Sequence, residues 1–302
     1  MKRRLRQILL CNCLVSACSL SQDNGSNTPA TAPGKPFAYV SQGLDLRDDI
    51  FMLSADGKVD SNLTRSAGYD SWPAWSPDGA KMAFESERAK AGISDIFVLT
   101  LDGSLATARI TFDTLHSDVQ PAWSPLGDRI AFVSNRDSAG FDVYLMDVNG
   151  ANVTRLTTDA QSSVQPAWSP DGSKLAFVSD RAGNGDIFVM DTTGGNVVNL
   201  TNNAAQDLTP AWSPDGAKIA FMSDRGDANF AIWVMNADGS GPVKISTSTP
   251  PCELPQWQPG GQRIIYDCDG DIFLSNPDGT SKVQITHTGN TTRSEVMARW
   301  KP

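Results

Sequence analysis

A chain of 302 residues has room for one large domain or two ordinary ones, and with 40% hydrophobic and 20% charged residues it can bury a core rather than stay a disordered polymer. Its net charge of −9 opposes counterion-release binding to nucleic acid and electrostatic docking on anionic lipid, so no nucleic-acid partner is expected. Only two histidines are present, His116 and His287, which argues against a histidine-rich metal site, and no cofactor is expected.

The N-terminus reads as an export signal. "MKRRLR" is a short basic run, and "QILLCNCLVSA" is a mostly apolar stretch too short to span a membrane. It ends in "VSAC", residues 15–18, which resembles the bacterial lipobox, where an aliphatic and two small residues precede a cysteine that is acylated. The expectation is a lipoprotein signal peptide over 1–17 with lipidation at Cys18; an ordinary signal peptide cut nearby is the other reading. By resemblance to the lipoprotein sorting rule, Ser19 points to the outer membrane, held through the lipid anchor and facing the periplasm or the cell surface. Residues 18–36, rich in Ser, Asn, Thr, Pro and Gly, hold almost nothing to bury and are predicted to form a flexible tether.

From residue 37 onward the chain repeats itself. "PAWSPDG" stands at 73–79 and 210–216, "QPAWSPDG" at 165–172 and "PAWSPLG" at 121–127. Full or degraded copies place tryptophans at Trp75, Trp123, Trp168, Trp212, Trp257 and Trp300, with spacings of 48, 45, 44, 45 and 43. Each copy continues with a run such as "SKLAFVSDR" (173–181), a polar turn, a run such as "DIFVMDTTG" (186–194), and a short closing run such as "VVNLT" (197–201). These are four short strands rich in Val, Ile, Phe and Leu, divided by Asp-Gly and Asn-Gly turns. The "LAFV" and "IFVM" runs are apolar without alternation, as in strands buried on both faces. A four-stranded sheet covered on both faces and repeated at this period predicts a β-propeller blade.

The chain ends decide between a ring and a solenoid. The C-terminal "EVMARWKP" reads as a first strand with nothing after it, and "FAYVS" (37–41) as a second strand with no first, followed by "DIFMLS" (49–54) and "SNLT" (61–64). Together they complete one blade. The predicted fold is therefore all-β, a six-bladed β-propeller over 37–302, its last blade closed by one C-terminal strand pairing with N-terminal strands. Within it the Trp should fill the space between adjacent blades, and Ser-Pro-Asp-Gly should turn the first strand into the second, with Pro fixing φ and Gly supplying positive φ.

The repeat centred on "PAWSPDG…IAFVSDR…DIFVMDADG" resembles the TolB-type propeller family, and the likeness covers 37–302. The resemblance implies a propeller used for binding in the cell envelope. The family includes the propeller of the periplasmic Tol–Pal component TolB, and similar repeats occur in oligogalacturonate lyases and as accessory domains of peptidases. TolB carries an α/β domain ahead of its propeller, where a tether is expected here, so the resemblance does not by itself carry over the Tol–Pal role.

Candidate functional residues cluster where each innermost strand begins. Three positions before the motif Pro stand Asp70, Asp118, Ser163, Asp207, Cys252 and Glu295. A ring of acids at the channel mouth could bind a cation, a cationic peptide segment or polar ligand groups; equally, an Asp at a loop end can cap nearby backbone N–H groups. Trp72, His116, Gln120 and Gln165 fall beside this ring and would enrich a binding surface, Trp72 as a contact anchor or as plain packing. Arg88, Arg136, Arg181 and Arg225 of the "SDR" elements are expected to bridge to Asp95, Asp142 and Asp186, with Ala231 in place of the last partner. Cys252 and Cys268 flank the turn "QPGG" symmetrically and are expected to form a disulfide, permitted in an oxidising compartment.

No Ser–His–Asp arrangement and no histidine cluster of the kind the lyase relatives suggest is legible. The expectation is a non-enzymatic, monomeric envelope lipoprotein that binds a protein or peptide partner at one face. The alternatives are a glycan-active or peptidase-like enzyme, or a cation or small-ligand binder, using the acidic mouth.

Overall fold

The structure, a computed structural model, describes residues 36–42, 48–55, 60–137, 140–286 and 295–302. The expected signal peptide, Cys18 and all of the tether but Pro36 lie outside the described residues, as does His287. Every regular element among the described residues is a strand, and the strands form six four-stranded antiparallel sheets. The innermost strands are Asp70–Trp75, Asp118–Trp123, Ser163–Trp168, Asp207–Trp212, Cys252–Trp257 and Glu295–Trp300. Each touches the innermost strand on either side, so the set closes into a ring, and the fold is a six-bladed β-propeller.

Closure occurs as the broken repeat requires. Glu295–Trp300 pairs antiparallel with Phe37–Gln42, Phe37 lying opposite Trp300. The Lys301 N–H then donates to the Pro36 carbonyl at 2.9 Å, the same bond that Ser76 makes to Lys81 within a continuous blade. Taking this blade as blade one, blades two to six follow in chain order.

The second and third strands of each blade are the core. Lys174–Ser179 and Asp186–Asp191 show five consecutive buried residues each, because neighbouring blades cover both faces. Cross-strand aromatic pairs recur in register. Phe84 faces Phe97 with ring centroids 5.9 Å apart, Phe132 faces Tyr144 at 5.6 Å and Phe177 faces Phe188 at 5.8 Å. Each fully buried ring contributes roughly 1.5–3 kcal/mol by removing apolar surface from water.

The short closing run ends in Thr or Ser for a specific reason. Its hydroxyl accepts the N–H at the head of the third strand: Thr111 from Ile96 at 2.9 Å, Thr157 from Val143 at 2.9 Å, Thr201 from Ile187 at 2.8 Å and Ser246 from Ile232 at 2.8 Å. The fourth strand is only two or three residues long, and this side chain replaces a ladder bond it cannot supply.

The "SPDG" turns form a second ring. Ser76 Oγ donates to Asp78 Oδ1 at 2.6 Å and accepts the Lys81 N–H, while Gly79 sits at φ +66°. In blade three the Asp is Leu126, and Asp128 takes its place as acceptor for Ser124 Oγ at 2.9 Å. Each turn packs on the next: Pro77 lies against Gly127, Pro125 against Gly172 and Pro170 against Gly216.

Candidate functional site

The centre of the ring is a funnel of about 480 Å³ that opens among the "SPDG" turns. Its wall is the six motif tryptophans, and the prolines of the turns form its rim. Three of the indoles bond across a blade interface: Trp75 Nε1 donates to the Arg299 carbonyl at 3.1 Å, Trp168 to Ala122 at 2.9 Å and Trp257 to Ala211 at 3.0 Å, each an acceptor in the preceding blade, whereas the Nε1 atoms of Trp123, Trp212 and Trp300 are buried without a hydrogen-bond partner.

The floor is made by a backbone irregularity that recurs in blades two to six and lines the funnel in blades two to five. The third residue of the innermost strand adopts left-handed φ: Trp72 at 51°, Gln120 at 53°, Gln165 at 57°, Thr209 at 52° and Leu254 at 56°. Pairing with the second strand is interrupted at that point and at the following proline, a bulge that spares the ladder the N–H a proline lacks. The bulge frees an N–H, and the neighbouring blade captures it. Glu85 Oε2 accepts from Gln120 N at 2.7 Å, Gln120 Oε1 from Gln165 N at 2.8 Å, and Gln165 Oε1 from Thr209 N at 2.9 Å. This chain of bonds ties blades two to five together beneath the funnel. Thr209 Oγ1, at its end, is buried without a partner.

The expected acidic ring is corrected. Asp70, Asp118 and Asp207 are 0% exposed and do not line the funnel, which lies toward the other end of the innermost strands. They are held by arginines two residues beyond the second-strand serine: Arg88 Nη2 reaches Asp70 at 2.7 Å, Arg136 reaches Asp118 at 2.6 Å and Arg225 reaches Asp207 at 2.8 Å. Each of these guanidiniums lies over an aromatic pair, as Arg136 does 5.3 Å from both Phe132 and Tyr144. The acids are structural, because a buried carboxylate needs such a partner. Where blade four has Ser163 instead of Asp, Arg181 bonds Ser163 Oγ at 3.2 Å and pairs with exposed Asp159 at 2.8 Å.

The expected bridges to Asp95, Asp142 and Asp186 are corrected as well. Those carboxylates pair with the fourth strand: Asp95 with Arg109 at 2.7 Å, Asp142 with Arg155 at 2.7 Å, and Asp186 with Asn199 at 2.9 Å. In blade five, where Ala231 removes the acid, Lys244 at the fourth-strand position turns to Asp227 at 2.6 Å.

Of the other expected residues, Trp72, Gln120 and Gln165 line the funnel. His116 does not; it sits on the opposite face in the loop before Asp118, its Nδ1 3.0 Å from Asp113 Oδ2, near exposed Phe112 and Leu115. Glu295 begins the C-terminal strand, and its side chain lies outside the described residues. Cys252 and Cys268 face each other in register and are joined, S–S 2.07 Å.

Three ionisable groups depart from the repeat. Glu85 stands where blades three to five have Val133, Val178 and Met222, and burial pushes its carboxyl up to about 8, against the Gln120 N–H that favours the charge. Asp267 holds the same position in blade six, opposite Glu253; burial, then the Glu253 charge, raise it well above the usual range. Arg299 stands at the fifth position of its strand, where the other blades have Ala74, Ala122, Ala167, Ala211 and Gln256. Burial lowers it to about 10, which leaves it cationic at neutral pH. Sequence reasoning missed Glu85 and Arg299, although "AKMAFESER" and "EVMARWKP" display both as departures once the copies are aligned.

Comparison with known proteins places this architecture. A 53-residue segment, 18% of the chain, is 43% identical to a protein TolB homolog of Chlorobium luteolum, of which it spans only 12%. Among solved structures, TolB from Acinetobacter baumannii superposes with a TM-score of 0.77 at 22% identity, covering 91% of this chain and 68% of that one. A TolB candidate from Agrobacterium tumefaciens gives 0.70 at 20% identity, covering 89% and 99%. At these identities the superpositions establish the fold alone. The TolB beta propeller domain family matches residues 114–295. With that match covering more than half of its length, the chain belongs to the TolB beta propeller domain family.

Proposed function

We propose that this protein is an exported cell-envelope scaffold, Tol–Pal-like in type, whose propeller holds a protein or peptide segment in the central funnel without performing chemistry on it. The observation that carries this reading is the funnel itself: six tryptophans and a rim of prolines form a preformed apolar concavity with a few polar groups at its floor. Such a composition suits recognition of chain segments, since aromatic rings bury large area at low entropic cost and rigid proline-lined walls need no ordering on binding. Kinship with TolB supports an envelope location, and the "VSAC" segment supports anchoring to the outer membrane through lipid on Cys18.

Photocrosslinking in cells tests the reading. A photoreactive residue replaces Leu126, which is 68% exposed on the funnel rim, and in a second strain Leu115, which is 77% exposed on the opposite face. A discrete envelope protein captured from position 126 and not from 115 is the expected result. Capture from 115 alone refutes the funnel as the partner site. Labelling with radioactive fatty acid, lost in Cys18→Ala, tests the anchor.

A further inference from the structure

The floor of the funnel offers hydrogen-bond donors and few acceptors. Gln120 and Gln165 line it and are only 3% and 5% exposed. Each spends its Oε1 on the bulge N–H of the next blade, Gln120 on Gln165 N at 2.8 Å and Gln165 on Thr209 N at 2.9 Å. An amide N–H is met by the oxygen of a carboxamide and not by its NH₂, so neither side chain can flip, and each Nε2 is the group left over. Among the described residues nothing accepts from either Nε2. Thr209 Oγ1 beside them is sealed off, whereas the two Nε2 groups stay open to the funnel. Acceptors nearby are already used. The carbonyls of Ala122, Ala211 and Arg299 take the indole N–H groups of Trp168, Trp257 and Trp75. Ser124 and Ser169 donate to Asp128 and Asp171 and accept N–H groups of their own turns. Gln256 reverses the pattern: its Nε2 turns onto the Pro255 carbonyl at 2.6 Å, which leaves its Oε1 for a single N–H. A ligand that suits this lining brings carbonyls without the N–H groups that ordinarily accompany them. In a peptide proline does so, since its nitrogen bears no hydrogen. Consecutive prolines also hold an extended left-handed helix in advance, with every carbonyl free to bond and apolar rings that pack on aromatic walls.

We propose that the funnel takes a proline-rich segment, its rings against the tryptophan wall and its main-chain carbonyls on Nε2 of Gln120 and Gln165. This rests on the peptide-binding reading above and names the class of peptide. A residue other than proline brings an N–H into the funnel, where it loses water and finds few acceptors.

The test uses the full chain and a synthetic library of N-acetylated, C-amidated hexapeptides of Ala, Leu, Phe, Pro, Gln and Ser. Peptides retained by the protein are identified by mass spectrometry, and their affinities are measured by quenching of the funnel tryptophans. The expected result is enrichment of members with adjacent prolines, and binding about tenfold weaker when those prolines are replaced by alanine. Gln120→Glu and Gln165→Glu keep an oxygen for the bulge N–H and put a second oxygen where Nε2 stood; Glu85 already serves in this way at the head of the same chain of bonds. Read at pH 9, where a carboxylate has no proton to donate, each variant binds the proline peptides about tenfold more weakly than wild type. A thioamide in place of a single carbonyl, a weaker acceptor, lowers affinity for the wild-type protein at one or two places along the segment, and answers the question should both variants fold poorly. Retained peptides without proline enrichment, or proline peptides whose binding is unchanged in both variants and at every thioamide position, overturn the proline inference while leaving a peptide site. Retention of no peptide overturns the peptide-binding reading and this inference together.

Discussion

Replacing Glu85 with Gln is expected to stabilise the propeller at alkaline pH and to change nothing at acidic pH. In the folded chain the Glu85 carboxyl titrates near 8 against an ordinary value of 4.5, because burial beside the funnel floor penalises its charge more than the Gln120 N–H rewards it. A folded-state value raised above the unfolded one means that the folded chain binds the proton more tightly. The resulting stability is full below pH 4.5 and is lost as pH rises through 8. At about 1.4 kcal/mol per pH unit the window sets a ceiling of roughly 5 kcal/mol. Glu85 is only partly buried, and water in the channel reduces the penalty, so about 2 kcal/mol is the working figure. Gln mimics the protonated acid and keeps an oxygen for the Gln120 N–H. Melting temperatures of wild type and Glu85→Gln should therefore coincide at pH 4.5 and diverge by roughly 4–8 °C in favour of the variant at pH 9. Asp267 and Glu253 also carry raised values and give both proteins a common downward slope, which the difference between the two curves removes. A difference that stays constant across the range would refute the assignment of Glu85 as a group that binds its proton more tightly in the folded chain.

The remaining predictions concern the repeated joints. Arg136→Ala strands the fully buried Asp118 carboxylate and is expected to cost about 3–5 kcal/mol in urea denaturation, whereas Arg181→Ala, whose carboxylate partner Asp159 is exposed, should cost clearly less. Gly150→Ala would set a Cβ 2.1 Å from the Ile110 carbonyl at φ +85°, while Gly103→Ala, at φ +92°, meets nothing within 4 Å. The second should cost only the backbone strain of about 1 kcal/mol, and the first several times more or failure to fold. Cys252→Ser with Cys268→Ser releases a loop closed across 16 residues and should destabilise blade six by about 3 kcal/mol, with no free thiol titrating in the unreduced wild type.

The blade count, the closure by the last strand and the placement of tryptophans between blades were all legible in the sequence, because each is imposed on every copy by the same packing problem. The function of the aspartates was not. "DVQPAW" and "DLTPAW" show an acid at a strand head, and nothing in the string says which of two nearby arginine sets will reach it. The answer depends on the third dimension: Arg136 folds back across an aromatic pair to the first strand, whereas Asp142 is reached by Arg155 from the fourth. Nor could the string say which end of the innermost strand opens into the cavity, since both ends carry polar residues. The bulge decided that, and its signal, a proline in the fourth position of a strand, marked a lost hydrogen bond without showing that the residue before it would turn left-handed.

In a ring of near-identical blades, symmetry separates what the fold needs from what a ligand uses. What recurs from blade to blade, as the six tryptophans of the wall do and as the buried pairs of Asp70, Asp118 and Asp207 with arginine do in three blades, answers a structural demand of the joints. A ligand without sixfold symmetry can be oriented only by departures from the repeat. Around the funnel these departures gather in one sector. Trp72 replaces the glutamine of blades three and four, Arg299 replaces the alanine of four blades, and Glu85 begins the hydrogen-bond chain that runs on through Gln120 and Gln165 to Thr209. Trp72 and Arg299 belong to neighbouring blades and meet across their interface, where the first and last strands of the propeller come together. The rest of the funnel is an apolar socket of fixed shape, and this sector gives it a direction.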